Sequence, residues 1–396
     1  MKLSFSARVE AFRQEFLAWL AENRPSVDEM RAEPARSSAH LPDWSRRWAR
    51  TLFDAGWLVP GWPPELGGRN AGPVEQLVYL EEMQRAGVPR TTNPQGLGII
   101  APSILDYGSP EQIEKYALPT LRGERAGCLG MSEPGAGSDL AALSTRAELR
   151  GDRFVINGQK VWTSGANFAD YCFLFCRTDP EARKHRGISV VLVEMDRPGI
   201  QVKPLPEIVG RHHPDLNEVF FTNVEVPASQ LLGKLNDGWA MANGSLAHER
   251  GMVWLDSVLR LQNAVARLLD EARTQLPALP EAERFVHVDR IVRAYGDAHA
   301  ARCLGYRGFA KLVKGGTAPE QALMKLMSSE ARQRLALVQS ELEGARGLDA
   351  TEQAGPFEGW SALEQYFVTF GGTISAGSSE IQRNIVAERV LGLPRG

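Results

Sequence analysis

Cysteine is nearly missing from this chain: four in 396 residues, too few to staple a fold of that length with disulfides. Cys172 and Cys176 fall four apart in a strand-like run, where both face one side, and they read as buried thiols rather than a metal or redox pair. No run of about 18 apolar residues occurs, so no membrane-spanning helix is expected. A signal-peptide pattern is lacking too, because charged and apolar residues alternate from Arg8 to Leu20. The final Leu393-Pro394-Arg395-Gly396 matches no targeting tail. Neither charge is in excess. With 45 basic and 48 acidic residues the net charge is -3, which gives no global field for nucleic acid or an anionic membrane, although a local basic patch for a phosphate-rich ligand is still allowed. His212-His213 has no further ligands at metal-binding spacing and reads as a solvated loop, so no metal is expected. A reducing cytoplasm fits these absences.

What is present suffices for a large core. Hydrophobic residues make up 43% and charged residues 23%, ordinary globular usage, and the length suggests two or three domains. The first third reads helical. Val9, Phe12, Phe16 and Leu20 recur at helix spacing, and Trp44, Trp48 and Leu52 make a second stripe ended by Gly56. A loop follows at Pro60-Gly61-Trp62-Pro63-Pro64-Glu65-Leu66-Gly67-Gly68, and Pro73 opens another helix. Ser109-Pro110-Glu111-Gln112 reads as a capping box. The character changes near Glu124. Asn157-Gly158, flanked by Phe154-Val155-Ile156 and Gln159-Lys160-Val161-Trp162, predicts a two-residue hairpin turn. Tyr171 to Arg177, Gly187 to Glu194 and Asn217 to Thr222 continue as β-rich runs. Helical periodicity returns at Asn236, with long helices over roughly 235–274, 281–315, 319–345 and 358–372 and a last one near 380–391. The expected fold class is α+β: an N-terminal helical domain over 1–124, a middle β-barrel or sandwich domain over 125–233, and a C-terminal four-helix bundle over 234–396.

Three stretches carry candidate chemistry. In Met131-Ser132-Glu133-Pro134-Gly135-Ala136-Gly137-Ser138-Asp139, three small residues in a row let a backbone approach a ligand closely. The run is neither a P-loop nor a dinucleotide fingerprint, so a plain loop and a ligand cradle both stay open. In Trp162-Thr163-Ser164-Gly165 the indole could plug a sandwich core or lie on a planar cofactor, with Ser164 donating to a ring heteroatom. In Ser375-Ala376-Gly377-Ser378-Ser379-Glu380-Ile381-Gln382-Arg383-Asn384-Ile385, a small-residue loop opens an amphipathic helix, either as an ordinary connection or as a site for an anion or carbonyl oxygen.

Taken together, in this order and spacing, the three stretches resemble the acyl-CoA dehydrogenase family. Ser132 to Asp139 and Asn157-Gly158-Gln159-Lys160 are similar to its two signature stretches. Gln382-Arg383-Asn384-Ile385 followed by Glu388-Arg389-Val390-Leu391-Gly392 is similar to its C-terminal signature. The resemblance spans nearly the whole chain and implies an FAD-dependent acyl-CoA dehydrogenase that oxidises the Cα–Cβ bond of an acyl-CoA thioester to a 2,3-enoyl-CoA.

By position, the resemblance puts Leu129, Met131, Ser132 and Ser138 on a first flavin-side segment and Trp162 and Ser164 on a second. Ser378 and Glu380 match cofactor contacts of the C-terminal segment, while Ser138 and Arg250 match substrate contacts. The backbone N–H of Ala376 matches a donor to the thioester oxygen. Many relatives carry the base, a glutamate, at the position of Ala376, and alanine cannot take a proton. Others place it early in the first helix of the C-terminal domain, which here is Glu249 in Gly244-Ser245-Leu246-Ala247-His248-Glu249-Arg250-Gly251. The resemblance further implies an electron-transfer flavoprotein as acceptor and a homodimer or homotetramer.

Two departures qualify this. An Arg-x-x-Phe-Gly stretch that reaches the FAD diphosphate in relatives is not found after Glu249. A Gln-x-x-Gly-Gly-x-Gly stretch is altered to Glu341-Leu342-Glu343-Gly344-Ala345-Arg346-Gly347. A hetero-oligomer whose partner supplies the missing contacts is the alternative assembly. The rival functions are a flavin oxidase or monooxygenase on the same fold, and a non-catalytic subunit.

Overall fold

The computed structural model describes residues 5–209, 214–315, 320–348 and 361–394, and within helices the side chains of 243–255, 320 and 321 lie outside the described set. Chain contacts divide it into two compact units. The first is built mainly from Met1–Gln76 and Val88–Glu249, the second from Leu77–Gly87, Arg250–Ala354 and Glu358–Gly396.

In the first unit, α1 (Ala7–Asn23), α2 (Val27–Ala32), α3 (Asp43–Asp54), the start of α4 (Pro73–Ala86), α5 (Ala101–Tyr107), α6 (Pro110–Gln112) and α7 (Leu118–Leu121) precede the sheet. Their starts follow the sequence signals. Ser6 and Ser26 cap α1 and α2 through Val9 N and Glu29 N. The expected box at Ser109 forms, with Gln112 N donating to the Ser109 hydroxyl and Ser109 N to the Gln112 side-chain Oε1. Trp44, Trp48 and Leu52 are buried along α3, and Gly56 ends it with a left-handed φ of 71°.

Among the described residues the sheet has eight strands: β1 (Gly127–Gly130), β2 (Arg146–Arg150), β3 (Arg153–Lys160), β4 (Tyr171–Arg177), β5 (Ile188–Glu194), β6 (Ile200–Pro204), β7 (Asn217–Pro227) and β8 (Leu231–Leu232). Their order is β6-β7-β3-β2-β4-β5-β8, with β1 pairing β4 in parallel. β4 and β5 are buried on both faces and mostly apolar, with Ser189 the polar residue inside β5 and Arg177 and Glu194 at the strand ends. Cys128, Cys172 and Cys176 join Phe154, Ile156, Val191 and Val219 in one buried cluster, and burial pushes the Cys176 thiol up to about 12.

The Asn157-Gly158 hairpin is not formed. β3 runs straight through it, and the turn to β2 lies at Gly151-Asp152 instead. Asn157 faces a bulge in β7, where Thr222 and Asn223 together oppose it as the register shifts between Ile156 and Gly158. Asn157 closes it by accepting from Asn223 N at 2.8 Å, and Asn223 is itself left-handed with φ 50°. The extra residue lets Val224 and Val226 stay on the core face that Val219 and Phe221 occupy. A Cβ at Gly158 would lie 2.6 Å from the Thr145 Cα. Gly158→Ala is therefore expected to destabilise the protein by about 1–3 kcal/mol, read as a lower urea midpoint with an unchanged slope.

The second unit is helical: the bulk of α8 (Gly238–Gln275), then α9 (Glu281–Val313), α10 (Glu320–Leu342), α11 (Ala362–Ile374) and α12 (Ser379–Ile385). Their positions follow the sequence reading; the last expected helix runs over 379–390, its second half wound as a π-helix at Val386–Val390. α9 buries small residues, Ala294, Ala298, Ala301 and Gly305, while α10 packs against both α9 and α11. No described helix is long and apolar enough to cross a membrane.

Candidate active site

One group of candidate residues is built on the sheet. Leu129, half-buried at the end of β1, pairs with Phe173. The chain then leaves the sheet held at every step: the Met131 carbonyl accepts from Lys160 Nζ at 3.0 Å, and the Ser132 carbonyl accepts from Val161 N at 2.9 Å. Glu133 and Ala136 close a tight turn through reciprocal backbone bonds of 2.9 and 3.0 Å.

Beneath it lies a buried ion pair. Lys160 Nζ and Glu133 Oε1 are 2.8 Å apart, with side chains 0% and 4% exposed. The Glu133 carboxylate also accepts from Ser144 N, the Ser144 hydroxyl and Thr145 N at 2.7–2.8 Å. Burial alone would raise this carboxyl, but the Lys160 charge and these donors outweigh it and hold it at about 2. Burial pushes the Lys160 ammonium down, and Glu133 opposes that and keeps it charged. The sequence reading gave neither residue a role. The signal was available in strand parity, since Lys160 shares the core face of Phe154 and Ile156 once β3 is continuous.

Trp162 is 61% exposed and left-handed, with φ 59°. It is therefore no core plug. A bulky residue in this conformation is a strained outlier that its surroundings must impose. They do so through the next residues: Thr163 N donates to Asn217 O at 3.0 Å and Gly165 N to Asp215 O at 2.8 Å. Asn217, fully buried, returns its side-chain amide to Thr163 O at 3.1 Å. The Asp215 carboxylate in turn accepts from Ser37 and Ser38, and Gly165 is packed so closely on Ala39 that a Cβ would fall 2.5 Å from it.

This face fits a planar cofactor. The hydroxyls of Ser132, Ser138 and Ser164 have no partner among the described residues, and a Cβ on Gly135 or Gly137 would meet open space. Those glycines answer to no packing demand of the chain itself, as expected where a ligand approaches the backbone.

A second group of candidate residues lies on the helical unit. Ala376 and Gly377 follow α11 with left-handed φ of 52° and 88°. Ser378 then caps α12, its hydroxyl accepting from Ile381 N. Gln382 donates its amide to the Ala376 carbonyl at 3.3 Å, and Lys325 of α10 donates to the Gly377 and Gly372 carbonyls at 2.7 and 2.9 Å. Among the described residues the N–H groups of Ala376 and Gly377 have no acceptor, and Ala376 is exposed. Glu380 is exposed in the first turn of α12, its carboxyl lowered by backbone and Ser378 hydrogen bonds. Glu249 and Arg250 fall on α8, and their side chains lie outside the described residues, as do His212 and His213 entirely. The altered stretch Glu341 to Gly347 ends α10 in a turn where Ser340 donates to the Gly347 carbonyl at 3.1 Å.

Three family models match the chain: the acyl-CoA dehydrogenase N-terminal domain over residues 6–124, the middle domain over 128–224 and the C-terminal domain over 236–391. Among curated proteins, the acyl-CoA dehydrogenase IpdE1 of Mycobacterium tuberculosis (strain ATCC 25618 / H37Rv) is 36% identical, covering 98% of each chain. The glutaryl-CoA dehydrogenase of Desulfococcus multivorans is 30% identical, covering 87% of this chain and 88% of that one. Among solved structures, one described as the Tcur3481-Tcur3483 steroid ACAD superposes with a TM-score of 0.83 at 30% identity over 100% of both chains. The ChsE4-ChsE5 complex from Mycobacterium tuberculosis gives 0.78 at 28% identity, also over 100% of both.

Proposed function

The chain belongs to the acyl-CoA dehydrogenase family, whose members are FAD-dependent oxidoreductases, and on that premise we propose that it converts a bulky, ring-bearing acyl-CoA to its 2,3-enoyl-CoA with Glu249 as base. The observation that carries this is Ala376: its exposed left-handed backbone offers an N–H with no acceptor among the described residues, and its methyl cannot take a proton. The donor of the site is thus present where the usual base is not.

Bound FAD supplies the acceptor for the hydride that leaves Cβ. The protein does the rest. Trp162 and Ser164 would hold the flavin, together with Leu129, Met131, Ser132 and Ser138 of the adjoining segment and with Ser378 and Glu380. Ser138 and Arg250 bind the acyl-CoA, Arg250 through a charge-assisted bond to its nucleotide part. Ala376 N–H donates to the thioester oxygen and stabilises the charge that develops as the α-proton leaves. Glu249 takes that proton. A carboxylate in an apolar setting has its pKa raised toward the working pH, as a base requires.

A ring-bearing acyl group is favoured by the likeness to a structure described as a steroid ACAD and by the displaced base. Functional boundaries at 124/125 and 233/234 follow from the change of character at Glu124 and the start of α8. The test is anaerobic mixing of the FAD-loaded protein with straight, branched and ring-bearing acyl-CoAs. Bleaching fastest with the ring-bearing thioesters and a product two hydrogens lighter are expected. Rapid reoxidation of the reduced flavin by oxygen, rather than by an electron-transfer flavoprotein, would establish the oxidase reading instead. A chain that never gains a flavin spectrum would be a non-catalytic subunit.

A homo-oligomer is supported by an apolar seam on α9. Phe285, Val288, Val292 and Tyr295 are 76%, 42%, 62% and 51% exposed, at the 3-4-3 spacing of a helix-pairing stripe. The spacing is palindromic about Arg290, so a two-fold antiparallel contact would set Phe285 against Tyr295 and Val288 against Val292 of a second copy. Val288→Asp with Val292→Asp is expected to leave a monomer by sedimentation. Unchanged assembly would remove this seam from the interface, and assembly only with a different chain would favour the hetero-oligomer.

A further inference from the structure

The turn that carries Ala376 has a built support that the proposed function does not use. Two successive left-handed residues, one of them an alanine, make a conformation that the chain seldom adopts unaided. Three contacts impose it. Gln382 engages the Ala376 carbonyl at 3.3 Å, and the Lys325 ammonium engages the Gly377 carbonyl at 2.7 Å and the Gly372 carbonyl at 2.9 Å. Gly372 belongs to the last turn of α11 and Gly377 to the loop beyond it, so one cation from α10 ties the helix end to the turn. A side chain on Gly377 would collide with the Gln382 amide at 2.6 Å, so the three residues fit as a set. With those carbonyls engaged, the Ala376 and Gly377 N–H groups are left without an acceptor among the described residues.

Lys325 is half-buried, and burial pushes its ammonium down while Glu380 opposes this. Methionine would fill the same volume without that desolvation. A lysine here is explained by its two bonds rather than by packing.

We propose that Lys325 is a positioning residue for the oxyanion donor, fixing the Ala376 turn so that its N–H meets the thioester oxygen. This rests on the reading of Ala376 as that donor. The turn lies entirely within the helical unit, and both Lys325 bonds go to backbone carbonyls, so Lys325 acts through the backbone.

The test compares Lys325→Met and Lys325→Arg in the FAD-loaded, full-length protein, using the acyl-CoA that bleaches the wild type fastest. Lys325→Met is expected to lower kcat on the order of 10- to 100-fold, the cost of a donor displaced by about an ångström, with KM and bound FAD near wild type. Lys325→Arg, whose fork also spans two carbonyls, is expected to recover most of that loss. A merely structural lysine would show the reverse pattern: lower FAD content or melting temperature with kcat per bound flavin unchanged, which overturns the proposal. So would a kcat for Lys325→Met equal to wild type. If Lys325→Met does not fold, Lys325→Gln, which keeps one donor, is read by the same split. The two failures are separable, because a wild type that no acyl-CoA bleaches removes the proposed reaction, whereas an active wild type indifferent to Lys325 removes only the positioning role.

Discussion

Glu249→Gln is expected to lower turnover about 100- to 10,000-fold, the range over which a positioned general base contributes, while the protein still holds FAD. An α-proton of a thioester is too weakly acidic to leave without an acceptor. Ala376 cannot serve, and Glu380 is exposed with its carboxyl lowered by backbone and Ser378 hydrogen bonds, which suits an anion better than a base. Glu249 differs from its amide by one titratable oxygen, so helix α8 keeps its length, polarity and propensity in the variant. The flavin spectrum and melting temperature should therefore stay close to wild type as kcat collapses. Near-normal turnover in Glu249→Gln would move the base elsewhere.

Breaking the Lys160–Glu133 pair should have the largest effect on stability. Both side chains are essentially buried, and removing one partner strands the other charge, at about 3–5 kcal/mol. Lys160→Met is expected to shift the urea midpoint by that amount, a large part of a typical total of about 5–15 kcal/mol. It should also weaken FAD binding, because the Met131 carbonyl and the Glu133 turn lose their common anchor. The double variant Lys160→Met with Glu133→Gln should be less destabilised than the sum of the two singles, since no charge is then left unpaired.

The same pair sets a pH dependence. Glu133 titrates at about 2 in the folded protein against 4.5 for the free group. A depressed carboxyl contributes stability that is fully present above 4.5 and is lost as pH falls from there toward 2, on the order of 3 kcal/mol. Acid unfolding of Lys160→Met should show a smaller loss across that window.

Much of this was legible in the sequence where one signal had one meaning. The Ser109 box, the stripe on α3 and the limits of β4 depend on local spacing and capping, and they fold as read. Asn157-Gly158 did not, because a dipeptide that suits a hairpin turn also suits a continuous strand facing a bulge. Only the partner strand, with Asn223 closing the bulge, decides between them. That one error also concealed Lys160, since a turn there would have reset the alternation that places it in the core. Trp162 was ambiguous for a different reason: its exposure follows from a left-handed backbone imposed by Asn217 and Asp215, more than fifty positions away. Likewise Lys325 has no motif of its own, and its role arises only when α10 and the end of α11 are packed together.

The most direct measurement of the central claim is anaerobic single-turnover flavin reduction, with wild type and Glu249→Gln loaded with FAD and mixed with the same ring-bearing acyl-CoA. Full bleaching in the wild type, giving a 2,3-enoyl-CoA, beside a variant that binds FAD and thioester yet bleaches on the order of 100-fold more slowly or worse, is the predicted result. Equal bleaching rates in the two proteins, or no bleaching in a flavin-loaded wild type, would contradict it.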